Sequence, residues 1–120
     1  MKRNVDLVRL LLITYESGEE PAELKEFSEQ EIMYHLVLMK DAGLIDAEFV
    51  YASGTIPETA INMRLTWSGH DFLDSARDNN LWNKAKQHVL KPGASWTFNL
   101  LSEWLKNEIK QRLFGDLGKS

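Results

Sequence analysis

The stretch Ser28–Ile45 (SEQEIMYHLVLMKDAGLI), taken with Ile61–Trp67 (INMRLTW), decides how this chain folds. Ser28 followed by Glu31 is a capping box, in which the serine oxygen accepts a backbone N–H and the glutamate reaches back. The helix that it opens turns Ile32, Leu36 and Met39 inward at helical spacing, and Gly43 ends it. At about 100° per residue, Gln30, Tyr34, Val37 and Asp41 then face outward, with Glu31 and Leu38 on the flank. Leu44-Ile45 leads into extended chain. In the second stretch Ile61, Met63, Leu65 and Trp67 alternate with Asn62, Arg64 and Thr66, a period of two that predicts a strand with one buried face. That alternation places Trp67 in the core and Arg64 outside. The matching arm lies around Glu48–Tyr51, rich in residues that suit strands. A hairpin over residues 47–67 follows, with Ser53 to Glu58 as its loop.

Outward from this centre the chain reads as helices. Asn4 caps a first helix, with Val8, Leu11, Leu12 and Tyr15 as its stripe and Gly18 as its stop. Ala22 to Phe27 fits either a short strand or a turn of helix. A third helix is predicted from Ser68, with Asp71 completing a second capping box and Phe72, Leu73 and Ala76 turned inward. Asn79-Asn80 offers caps for a fourth, carrying Leu81, Trp82, Ala85 and Val89. A last helix begins near Ser95, after the break Lys91-Pro92-Gly93, with Phe98, Leu101, Leu105, Ile109 and Leu113 as its stripe. The fold class is therefore α+β and mostly helical. One domain is expected over 1–120, with a core at 1–78 and a C-terminal helical extension at 79–120.

Composition narrows the function. The chain has 120 residues, 43% hydrophobic and 27% charged, which excludes disordered and collagen-like classes. No cysteine is present, so thiol nucleophiles, disulfides and thiolate metal sites are excluded. Charges interrupt the N-terminal apolar residues, and Leu10–Ile13 is far too short for a membrane span. No secretory leader, no membrane association and a cytoplasmic location are the expectations. Residues 1–60 carry 5 Lys and Arg against 12 Asp and Glu, whereas residues 61–120 carry 9 against 6. An acidic N-terminal half repels phosphate.

The order helix, short element, helix, hairpin, helix is similar to that of a winged helix. Met39-Lys40-Asp41-Ala42-Gly43-Leu44-Ile45 resembles the end of the recognition helix in winged-helix regulators of the multiple-antibiotic-resistance and phenolic-acid-decarboxylase types. Arg64-Leu65-Thr66-Trp67-Ser68-Gly69 resembles the return strand of their wing. Over nearly the whole chain, Met1-Lys2-Arg3, Asp6-Leu7-Val8-Arg9, Tyr34-His35-Leu36, Ala42-Gly43-Leu44-Ile45 and Leu65-Thr66-Trp67-Ser68-Gly69-His70-Asp71-Phe72-Leu73-Asp74 resemble a small family of domains of unknown function. Arg77-Asp78 and Trp82-Asn83-Lys84 continue that match. The resemblance implies a winged helix-turn-helix-like core with a β-hairpin wing, and a bacterial, phage or mobile-element setting.

Candidates for chemistry are few. His70-Asp71 resembles half of a metal site, but His35 and His88 share no ligand spacing with it. Asp74 and Asp78 lie one turn apart beside Arg77, as paired carboxylates could for acid–base work, yet exposed helices often carry such pairs. Ser68, Ser95 and Ser102 lack a nucleophile elbow, and the seven glycines form no phosphate loop. We expect no catalysis, cofactor or metal. Trp82, Trp96 and Trp104 are expected in the core.

A helix that reads DNA presents Arg, Lys, Asn or Gln to the groove and cations to the flanking phosphates. Of the outward residues only Gln30 suits that. Glu31 and Asp41 oppose phosphate, Val37 and Leu38 offer apolar contact, and the loop at 53–58 holds Glu58 but neither Lys nor Arg. The candidate contact residues are thus Gln30, Tyr34, Val37, Leu38, Asp41 and Arg64, and they favour a protein partner, or a second copy, over DNA. The alternative is a DNA-binding regulator, working as a homodimer through the 28–42 helix and the 47–67 wing. Leu100, Trp104 and Phe114 lie beyond the stripe of the last helix and suggest self-association.

Overall fold

The computed structural model describes residues 1–90 and 97–117. Among these the fold is α+β and mostly helical: five α-helices, one 3-10 helix and one antiparallel hairpin. It has the element order of a winged-helix-like core followed by extra C-terminal helices. The chain divides into two compact units, Met1–Leu73 and Asp74–Ser120.

In the first unit, α1 (Val5–Ser17) starts where the Asn4 side chain accepts the Leu7 N–H, 3.2 Å away. It stops at Gly18, whose φ of 77° suits a residue without a β-carbon. Val5, Leu7, Leu11 and Leu12 are buried and Tyr15 sits at the rim. Burial, and then the Glu20 carboxylate, hold the Tyr15 phenol above its ordinary range. The ambiguous stretch forms a 3-10 helix (Ala22–Glu26), anchored by buried Leu24. Next comes α2 (Glu29–Asp41), with both hydrogen bonds of the Ser28–Glu31 capping box present at 3.1 Å. It buries His35, Leu36 and Met39, and Gly43 at φ 77° redirects the chain into the hairpin.

The hairpin pairs β1 (Ile45–Val50) with β2 (Thr59–Leu65). The register runs Ile45 to Leu65 and Asp46 to Arg64, then Glu48 to Ile61, so β2 holds one extra residue opposite Ala47. Asn62, at φ 55°, takes up that bulge. The bulge breaks the period of two that the sequence suggests. Ile61 lands on the solvent face with Glu48 and Val50, while Ala60 pairs with Phe49 on the other face.

A second correction follows at Trp67. The strand ends at Leu65, and Thr66 turns the chain: its N–H donates to Leu44 O at 3.0 Å, and its hydroxyl donates to Gly43 O at 2.5 Å. The same hydroxyl accepts the Gly69 N–H at 3.1 Å, so Thr66 takes the capping place assigned to Ser68, and α3 (Trp67–Ala76) begins one residue earlier. Trp67 is its first residue and is 84% exposed, not in the core. Phe72 and Leu73 are buried as the spacing predicts.

In the second unit, α4 (Asn79–Val89) is capped by Asp78 and not by Asn79 or Asn80. The Asp78 carboxylate accepts the Leu81 N–H at 2.8 Å. Leu81, Trp82 and Ala85 are buried. Against α4 packs α5 (Phe98–Leu117), which begins at Phe98, where Thr97 accepts the Leu100 N–H. Ser95 and Trp96 lie outside the described residues. Leu101 and Leu105 are buried, and the His88 ring stacks on Trp104 with centroids 5.4 Å apart. The predicted stripe stops short of the helix end, because Leu113 is 61% exposed.

Candidate functional site

The site is built from the N-terminal turns of α2 and the hairpin loop. The capping box holds the start of α2 in place, and the Glu58 N–H donates to Val50 O at 2.8 Å, closing the loop. Between them lies a cleft of about 470 Å³, lined by Glu29, Gln30 and Met33 of α2 and by residues 52–58. Pro57 is buried, Met33 and Ile56 are half-buried, and Glu29 and Glu58 are exposed. The lining therefore combines apolar Met33, Ile56 and Pro57 with neutral polar Gln30, Ser53 and Thr55 and two rim carboxylates, and none of its residues is Lys or Arg.

The cations carried by α2 and β2 themselves are engaged. Lys40, on α2, donates from Nζ to Ala47 O at 2.7 Å and lies 5.7 Å from the Phe49 ring centroid. That contact ties the helix to β1. Arg64 meets the Asp46 carboxylate at 2.6 Å across the hairpin, on the face that also carries Glu48, Val50 and Ile61. Both partners are exposed, so the pair adds little stability, but it cancels the one positive charge on that strand.

The sequence-predicted contact residues fall on two surfaces. Gln30 and Asp41 are exposed, and Val37 and Leu38 are half-buried on the same helix. Tyr34 is half-buried, its ring edge-on to His35 with centroids 5.5 Å apart. Gln30 alone of the six lines the cleft, and Arg64 belongs to the hairpin face. Glu29, Met33 and Ile56 also line the cleft, and no sequence pattern marks them out. Glu29 and Met33 lie on the flank of α2 toward the hairpin, which a helical wheel shows only once the loop is known to fold back on it.

His35 is the other residue that spacing undervalued. It is 1% exposed, yet polar. Its Nε2 accepts the Asn4 backbone N–H at 2.9 Å, and its Nδ1 lies 2.8 Å from Glu31 O. A backbone N–H can only donate and a carbonyl can only accept, so the proton sits on Nδ1. The ring joins the start of α1 to α2.

His70 and Asp71 are both exposed on α3. Arg77 holds Asp74 at 3.1 Å, while Asp78 caps α4, so the two aspartates serve different ends. Among the described residues no group of three His, Asp or Glu is placed to hold a metal ion. Nor is any helix there long and apolar enough to cross a membrane. Trp82 is buried, and Trp104 is half-buried.

Comparison with known proteins adds a family whose description names no activity. A family model described as "Hypothetical protein (DUF2513)" matches residues 2–95. The chain is 31% identical over 119 residues to an uncharacterised protein of Haemophilus influenzae, covering 94% of this chain and 99% of that protein. No solved structure matches.

Proposed function

We propose that this chain, which belongs to the DUF2513 family, is a winged-helix-like binding module that docks a protein through α2 and the hairpin loop and catalyses nothing. One observation carries the reading. The helix standing where a winged helix would read DNA presents Gln30, Val37, Leu38 and Asp41, beside a cleft rimmed by Glu29 and Glu58. Phosphate recognition needs cations there, and Lys40 and Arg64 are engaged with Ala47 O and Asp46. Apolar contact ringed by charge is the composition of a protein interface.

Element order favours the second reading, a DNA-binding regulator acting as a homodimer, since α2 precedes a hairpin as it does in winged helices. In that case α2 and the loop would carry the duplex contacts. Two substitutions bear on the first reading. Changing Val37→Asp together with Leu38→Asp places two carboxylates on the docking face. Partner co-purification should be lost while the far-ultraviolet circular dichroism stays that of the native chain. Undiminished co-purification would contradict the protein-docking reading.

A further inference from the structure

We propose that the docked partner is a second copy of this chain, whose α5 lays its last turns in the α2–loop cleft. The inference rests on the protein-docking reading above and gives it an occupant.

The buried residues of α5, Leu101 and Leu105, lie in its first half, yet apolar side chains continue toward its end. Leu113 is 61% and Phe114 60% exposed, a costly display for two large side chains. Lys106, Lys110 and Leu113 stand at i, i+4 and i+7, on one face, and Phe114 adjoins it. Lys106 and Lys110 are exposed. Glu108 falls about 200° round the helix from Lys106, whereas exposed Glu103 stands one turn ahead of it on the same side, so this face is cationic from Lys106 onward. The helix thus ends in a stripe of two ammonium groups followed by two apolar side chains.

The cleft is its chemical complement. Glu29 and Glu58 supply the rim charges, and Met33, Ile56 and Pro57 the apolar part of its lining. Lys106 and Lys110 are separated by about 6 Å along the helix axis, so both can face one acidic rim. An amphipathic helix set in a groove through i, i+4 and i+7 anchors is a common mode of recognition. The same polarity runs through the whole chain, since the acidic excess lies in residues 1–60 and the basic excess in residues 61–120. A second copy therefore supplies what the first lacks.

Charge reversal on the full chain tests this. One variant carries Lys106→Glu with Lys110→Glu, the other Glu29→Lys with Glu58→Lys. Sedimentation velocity at micromolar concentrations should show self-association of the native chain. Each variant alone should associate at least about tenfold more weakly, because its like charges then face each other. An equimolar mixture should recover association, because both contacts of the mixed pair are again opposite in sign. A native chain that stays monomeric overturns the inference, as does association indifferent to the reversals or a mixture that fails to recover. If the native chain is monomeric but Val37→Asp with Leu38→Asp still releases another protein, docking survives and only the second copy as occupant is lost.

Discussion

Gly69→Ala is expected to destabilise the first unit by about 3 kcal/mol or more, the upper range for forcing extra atoms into a packed site. A β-carbon at Gly69 would stand inside the contact distance of the Leu44 carbonyl oxygen and 3.0 Å from its carbon. The obstacle is backbone, so no side-chain rotation relieves it. That carbonyl already accepts the Thr66 N–H, and the Thr66 hydroxyl joins Gly43 O to the Gly69 N–H. Moving α3 away to admit a methyl group would stretch all three bonds. Alanine is normally the better helix former by about 1 kcal/mol, so the expected loss opposes intrinsic propensity. Gly115→Ala serves as a control, because Gly115 lies in α5 with nothing within 4 Å of its β-carbon position. Urea unfolding should lower the midpoint sharply for Gly69→Ala and leave it level or raised for Gly115→Ala. Equal midpoints would mean that α3 does not rest on Leu44.

His35→Ala is expected to cost about 3 kcal/mol, from a void and an orphaned donor together. The Asn4 N–H would lose its acceptor, 2.9 Å away, at the point where α1 begins. Glu31 O would lose the Nδ1 donor. His35→Phe separates the two causes, since it refills the space but still accepts nothing. It should retain about 1–2 kcal/mol of the loss, the usual cost of an unsatisfied buried group. Nitrogen shifts of the native ring should report the Nδ1–H form. A His35→Phe variant as stable as the native chain would mean that Asn4 N–H has another acceptor.

How far the sequence discloses this structure depends on how local each signal is. The Ser28–Glu31 box and the stops at Gly18 and Gly43 involve residues within one turn, and all are present as read. Caps for α3 and α4 slip by one or two positions, because Thr66 and Ser68, or Asp78 and Asn79, are comparable candidates side by side. The bulge at Asn62 is set by pairing with β1, which no pattern within β2 encodes. Alternation therefore fails at Ile61. It fails again at Trp67, where the count is carried past the end of the strand into a turn. Of the α2 residues that the period turns outward, Gln30 and Asp41 are exposed but Tyr34 and Val37 are half-buried, and the cleft beside them depends on where the loop folds. Arg64 reads as outward, but only the register brings Asp46 opposite it.

In the function proposed above, α2 and the hairpin offer apolar surface and carboxylates in the place where a DNA reader offers cations. Gel retardation of short duplex DNA through a series of salt concentrations, beginning at low salt, tests it most directly. No shifted band is expected even at the lowest salt. Retardation that weakens steeply as salt rises, the signature of released counterions, would contradict it and transfer α2 and the hairpin to the DNA reading.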